Sequence, residues 1–430
     1  MLKTRLTHLF SGQIAKATVR TTGVLVLRLL VQAGTLLIVA RMLGAAHFGA
    51  FSGIVALAVL LGSLSTLGTH LVLLGEVSKE HLRRHAVLPY ALPTTLLASG
   101  LLFLIYVPLG SWLLNQTGIG LEIILAIGAA ELLLQPLITL ASVEHQAHGH
   151  IARSQLLMTL PLGLRLLVAT SLWATHPQNP LHFFAAGYLL ATGLAVFFSV
   201  WHLPEPWPKI LAWRLPTKDE IKQATSFAVN TLTALGPGEI DKALAVKLMP
   251  LNSAGLYSAS IRIVSAAVLP IMAMLMTAMP RLFKIAAEEN DNKIGLIKKI
   301  FNTTFLAGIL LSGVAFILAP TIAVFFGKDF SSSSQIIRYA TFLIPILALR
   351  MAAGTILMTQ NKPLSRSGIE LLGIITLSAL AYILAPKYFI TGMIMALLGS
   401  ETVMAISGWL LVMRNLRQNK KIHKTQPTKQ

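Results

Sequence analysis

The sequence predicts an all-α integral membrane protein, with twelve transmembrane helices in two six-helix lobes, and three observations carry that prediction. Of 430 residues, 55% are apolar and 12% charged, where a soluble domain has roughly a quarter of its residues charged. Twelve apolar stretches approach the length of about 20 residues that a membrane-crossing helix needs, since lipid offers the backbone no hydrogen-bond partner. The lysines and arginines between these stretches are alternately many and few, as in a chain that crosses a bilayer repeatedly.

The spans fall near residues 20–40, 49–74, 86–108, 119–141, 154–174, 181–203, 224–247, 254–280, 302–325, 335–358, 366–385 and 388–412. Ahead of the first, MLKTRLTHLFSGQIAKATVR has Leu2, Leu6, Leu9 and Ile14 at helical spacing, which predicts an interfacial helix. It lacks a small-residue cleavage site and is expected to stay. Residues 1–203 make the first lobe, 204–223 a linker, 224–413 the second lobe and 414–430 a basic tail, expected to be disordered and drawn to anionic lipid. The connection from Trp201 to Gln223 is proline-rich and basic, and predicts a segment lying on the membrane with its tryptophans at headgroup level.

With the N-terminus inside, 25 of the 35 lysines and arginines face the cytoplasm. Arg41, Lys247, Lys328 and Lys387 face out, and Arg28, Arg165, Lys242, Arg262, Arg338 and Arg350 lie within spans. Both termini are therefore expected to be cytoplasmic. This spread also explains a net charge of +19 without nucleic acid as a partner. No cysteine occurs, which excludes disulfides and thiolate metal sites. Neither a phosphate-binding G-x-x-x-x-G-K-[ST] loop nor an H-E-x-x-H helix is present. The outer loops are too short for a catalytic domain, so a transporter is expected rather than an enzyme, with no cofactor. EHQAHGH at Glu144–His150 lacks a closed ligand set and is not read as a metal site.

The chain repeats itself. Ala40–Ser52 aligns with Val246–Ser258 at a constant offset of 206 residues, placing Arg41 on Lys247, Gly49 on Gly255, Phe51 on Tyr257 and Ser52 on Ser258. That offset covers six spans, an even number, so the halves share an orientation and are related by a pseudo-two-fold axis along the membrane normal.

ARMLGAAHFGAFSGIVAL at Ala40–Leu57, the following LGTHLVLLGEVSK, IDKALAVKLMPLNSAGLYSASIRI at Ile240–Ile263 and AMPRLF at Ala278–Phe283 resemble the polysaccharide translocases, or lipid-linked oligosaccharide flippases. Their superfamily also contains the multidrug-and-toxin extruders and the lipid II flippase. The resemblance implies two lobes around a cavity that opens alternately to either side. It implies a polyprenyl-diphosphate-linked glycan, such as an O-antigen or similar surface repeat unit, moved from the cytoplasmic to the outer leaflet of a bacterial inner membrane. It leaves room for a polysaccharide polymerase or chain-length proteins as partners.

Charges inside spans are costly and therefore informative. Glu131 and Arg165 are expected to form a structural ion pair, while Glu122, Arg338 and Glu370 lie near span ends and are given no role. Spans one, seven and eight line the cavity in the resembled fold, so Arg28 and Arg262 are expected to contact the diphosphate with planar forks. Lys242 assists, Arg350 in span ten is a further candidate, and Asp241 and Glu239 are assigned to coupling. Gly236, Pro237 and Gly238 loosen span seven beside them, either as a static kink or as a break exposing carbonyls. The competing reading is a cation-coupled multidrug efflux transporter, for which an acid-dominated cavity is expected. Six bases within the spans favour the anionic substrate.

Overall fold

The computed structural model describes residues 13–115, 117–287, 293–360 and 363–425. The predicted interfacial positions Leu2, Leu6 and Leu9 and the last five residues of the tail lie outside these. Fourteen α-helices follow one another among the described residues. They are α1 (Gln13–Gly62), α2 (Thr69–Lys79), α3 (Arg84–Leu113), α4 (Leu121–Gly128), α5 (Gln135–Ala147), α6 (Ile151–Thr175) and α7 (Pro180–Trp201), then α8 (Lys218–Leu248), α9 (Leu251–Ala267), α10 (Leu269–Ala287), α11 (Lys293–Phe326), α12 (Ser333–Ala340), α13 (Leu343–Thr359) and α14 (Pro363–Thr425). Among the described residues eight helices are long and apolar enough to cross a membrane, or nine if α12 and α13, bent by 41°, are one span. The chain is a multi-pass membrane protein.

Two compact units divide the chain, residues 1–232 and 233–430. In the first, α1 is interrupted at Gly44 (φ 68°, ψ 170°), a left-handed φ that glycine adopts without Cβ strain. In the second, the position 206 residues on is Pro250 (φ −55°, ψ 141°), which separates α8 from α9. Each copy of the repeat thus breaks its helix at the same place by different chemistry. Behind both breaks the repeated residues are buried, Phe51 and Ser52 in one unit and Tyr257 and Ser258 in the other. Each unit has a further irregularity. In the first unit a π-helical turn, Ala129–Leu134, joins α4 to α5, and in the second a bend separates α12 from α13.

That π turn holds Glu131, which pairs with Arg165 of α6 at 2.9 Å. Tyr188 donates to Glu131 Oε1 at 2.5 Å, and Arg165 donates to the hydroxyls of Tyr188 and Thr192 at 2.7 and 2.8 Å. All four side chains are buried, and their mutual hydrogen bonds offset the desolvation of the charges.

Two expectations are corrected, the disordered tail and the interfacial Glu370. The first unit runs through residue 232, into α8, and Gly68 packs against the start of that helix. Gly68 (φ 79°) has no space for a Cβ, which would run into the Ala224 carbonyl and lie 2.9 Å from the Ala228 nitrogen. The linker docks on the first unit through its tryptophans: Trp207 and Trp213 pack on a buried cluster that includes Leu73, Val77, Leu88 and Leu140. Buried Arg84 holds Glu144 at 2.6 Å and Glu205 at 3.1 Å, and Trp207 donates to the other Glu144 oxygen at 2.6 Å. At the C-terminus the tail is helical to Thr425, since no glycine or proline interrupts residues 414–425. Finally, Glu370 is buried, not at an interface.

Candidate functional site

The second unit contains a cavity of about 290 Å³ walled by α8, α10, α13 and α14. Its apolar wall comes chiefly from methionines: Met272, Met276 and Met279 follow one face of α10 at helical spacing, and Met351 and Met404 face them. Unbranched thioethers adapt to ligands of irregular shape. The charged lining is Arg350, Arg366 and Glu370.

Each arginine is held by a carboxylate. Arg350 Nε lies 2.6 Å from Glu401 Oε2, both atoms otherwise lacking a hydrogen-bond partner. One turn into α14, Arg366 Nε donates to Glu370 Oε1 at 2.8 Å, an i,i+4 pair whose second oxygen is buried without a hydrogen-bond partner. Glu401 also interacts electrostatically with Asp241 and Glu370, so the cavity pairs continue into a second cluster on α8 and α9. There Asp241, almost fully buried, accepts a hydrogen bond from Tyr257 at 3.0 Å. Lys242 Nζ sits 3.2 Å from Asp241 Oδ1 and 3.8 Å from Glu239, and donates to the Gly238 carbonyl of its own helix.

Of the candidates read from the sequence, Arg350 lines the cavity. Asp241, Lys242 and Glu239 form the adjacent cluster, with Lys242 folded back on α8 rather than lining the cavity. Gly236, Pro237 and Gly238 lie within a helix that runs without interruption from Lys218 to Leu248; the structure shows no break there. Arg262, half-buried on α9, is not among the cavity-lining residues. Arg28 belongs to the first unit, where Nη1 donates to Gln155 at 3.3 Å. Arg366, Glu370, Glu401 and Tyr257 were not singled out for the site. The i,i+4 spacing of Arg366 with Glu370 and the methionine stripe of α10 were the legible signals.

Outside the spans, Arg214 closes the docked linker. It donates to both oxygens of Glu220 at 2.6 and 2.8 Å, and this pairing pulls the Glu220 carboxyl down to about 2.

A family model described as "Polysaccharide biosynthesis protein" matches residues 14–286. Among solved structures, an inward-facing multidrug resistance MATE family transporter of the MOP superfamily has a TM-score of 0.73 at 15% identity, over 94% of this chain and 99% of that one. The lipid II flippase MurJ in an inward closed conformation gives 0.72 at 13% identity, over 92% and 87%. A MOP superfamily transporter from Pyrococcus furiosus, whose structure is described as having a binding pocket of reversed polarity, gives 0.65 at 16%, over 96% and 98%. No curated protein matches the chain. The chain shares the fold of these three solved structures.

Proposed function

This chain belongs to the polysaccharide biosynthesis protein family, and on that premise we propose that it flips a polyprenyl-diphosphate-linked oligosaccharide, an O-antigen or similar repeat unit, from the cytoplasmic to the outer leaflet by alternating access. The observation that carries the reading is that two guanidinium groups line the cavity, Arg350 and Arg366, each held through Nε by a carboxylate, Glu401 and Glu370. Planar forks suit paired phosphate oxygens. Arg28, Arg262 and Lys242 supply further cations for the headgroup along its path, and the Asp241 cluster with Glu239 serves coupling.

Twelve spans fit this reading. The candidate spans Gly23–Gly62 and Leu364–Leu416 hold 40 and 53 residues, and at about 1.5 Å per residue each is close to or above twice a hydrocarbon core of about 30 Å. Both are interrupted, at Gly44 and at Phe389. Counting each as two, α12 with α13 as one, and the charged α8 as one gives twelve. Charge asymmetry supports cytoplasmic termini, and a bacterial inner membrane is the setting this function implies. A polysaccharide polymerase or chain-length protein would receive the flipped unit.

The test uses Arg350→Gln combined with Glu401→Gln, which removes the guanidinium without leaving a buried carboxylate uncompensated. Losing a charge-assisted contact to phosphate reduces flipping by roughly tenfold or more, so lipid-linked units accumulate on the cytoplasmic side of cells in which the variant inserts normally. Unchanged export would sink the assignment. A second reading, cation-coupled multidrug efflux, is favoured by the methionine wall and the unpartnered Glu370 oxygen. It predicts instead that Glu370→Gln abolishes efflux of a cationic dye while glycan export continues.

A further inference from the structure

The docked linker ends in an apolar apex that its own fixings hold away from the protein. Trp207 and Trp213 pack on the first unit's buried cluster, and Trp213 Nε1 donates to the Pro208 carbonyl at 3.2 Å. Between them Ile210–Ala212 forms a single 3-10 turn, closed by Ala212 N to Lys209 O at 2.9 Å and Trp213 N to Ile210 O at 3.0 Å. Arg214 N then donates to Pro89 O at 3.0 Å. Two tryptophans thus act as feet, and the turn between them stands out with Ile210 74% and Leu211 98% exposed. Leu215, two residues beyond the second foot, is 74% exposed. Ordering such a turn in water costs backbone entropy and hides no apolar surface.

Charge and position name the occupant. Lys209, Lys218 and Lys222 flank the apex and are exposed; of the nearby exposed acids Asp219 and Glu205, Glu205 is paired with Arg84, and the half-buried Glu220 is taken by Arg214. The linker also continues directly from α7, whose end carries exposed Phe197, Phe198 and Trp201, the apolar and aromatic surface of a span reaching the bilayer interface. We propose that Ile210, Leu211 and Leu215 insert into the headgroup region of the same bilayer and that Lys209, Lys218 and Lys222 select anionic phospholipid. An amphipathic segment beside a span binds this way, through buried apolar area plus attraction to anionic lipid.

The native chain has no cysteine, so Leu211→Cys and, as a control in a neighbouring exposed loop, Glu80→Cys take an environment-sensitive fluorophore singly in the full-length protein. The probes are lipid nanodiscs of phosphatidylcholine alone or mixed with phosphatidylglycerol, each with and without brominated acyl chains. In the anionic discs, the label at 211 is expected to shift to the blue, to be quenched by the brominated chains, and to be several-fold less accessible to aqueous iodide than the label at 80. Lys209→Gln with Lys218→Gln and Lys222→Gln removes the difference between the two lipid compositions. A 211 label as open to iodide as the one at 80 overturns the proposal. So does equal insertion into both compositions, which denies the anionic selection. Protection in detergent that grows with protein concentration also overturns it and assigns the apex to a second copy of the chain.

Discussion

At Gly68 the backbone sits at φ 79° against the first turns of α8. Left-handed geometry costs a residue with a Cβ about 1–2 kcal/mol, and here the Cβ would also collide with the backbone at Ala224 and Ala228. Gly68→Ala is therefore expected to lower the thermal unfolding temperature by more than that strain alone. Gly75, on α2 with open space around its Cα, gives the opposite outcome, since Gly→Ala in a helix stabilises by roughly 0.5–1 kcal/mol. Comparing the two melting curves separates backbone conformation from helix propensity. The Glu131 and Arg165 pair makes a second prediction. Glu131→Leu leaves a buried guanidinium without its carboxylate and costs about 3–5 kcal/mol, while Glu131→Leu with Arg165→Met recovers most of that. Equal melting temperatures for the single and double variants would contradict the assignment of this pair as mutually compensating.

Among the elements, the linker shows what a sequence can and cannot say. Its prolines, lysines and tryptophans marked it as a connection between halves. They did not show that Trp207 meets the carboxylate of Glu144, more than sixty residues earlier, because nothing local encodes that contact. Burial of Glu370 was equally hidden, since a span's sequence does not distinguish a lipid-facing side from one facing a cavity. The break at Gly44 and its counterpart at Pro250 were, by contrast, written in the repeat. A pH experiment belongs at this scale. The Glu220 carboxyl is held down to about 2 by its hydrogen bonds from Arg214, so its contribution is complete above the ordinary carboxylate range near 4.5 and is lost as pH falls toward 2. Trp213 emission, read in a variant whose other five tryptophans are phenylalanine, is expected to stay native at pH 4 and change near pH 2. Glu220→Gln brings that change to neutral pH. An emission transition centred at 4.5 in the unaltered pair would refute it.

Across the whole molecule, each unit carries a helix broken within the repeated segment, at positions that the 206-residue offset brings into register, whereas the π turn at Ala129–Leu134 and the 41° bend between α12 and α13 left no mark in the sequence reading. The charges singled out in the sequence fall in both units. Arg350 lines a methionine-walled space in the second unit, Asp241 and Lys242 form a cluster beside it, and Arg28 lies in the first unit. Transport should divide the same way. Arg366→Gln with Glu370→Gln, a neutral swap at the cavity, is expected to slow glycan export roughly tenfold, as export assays in intact cells can measure. The same swap at Arg165 and Glu131 should affect stability and leave export per inserted molecule unchanged.

The paired breaks at Gly44 and Pro250 bear on how the two halves could have diverged from a common ancestor. A proline ring fixes φ near −65°, which matches Pro250 but is incompatible with the φ of 68° at Gly44. Glycine is acceptable at either position and proline at only one. A duplicated segment carrying glycine could thus have given rise to both present halves by a single replacement, whereas one carrying proline would first have had to lose it in the half that now turns through positive φ.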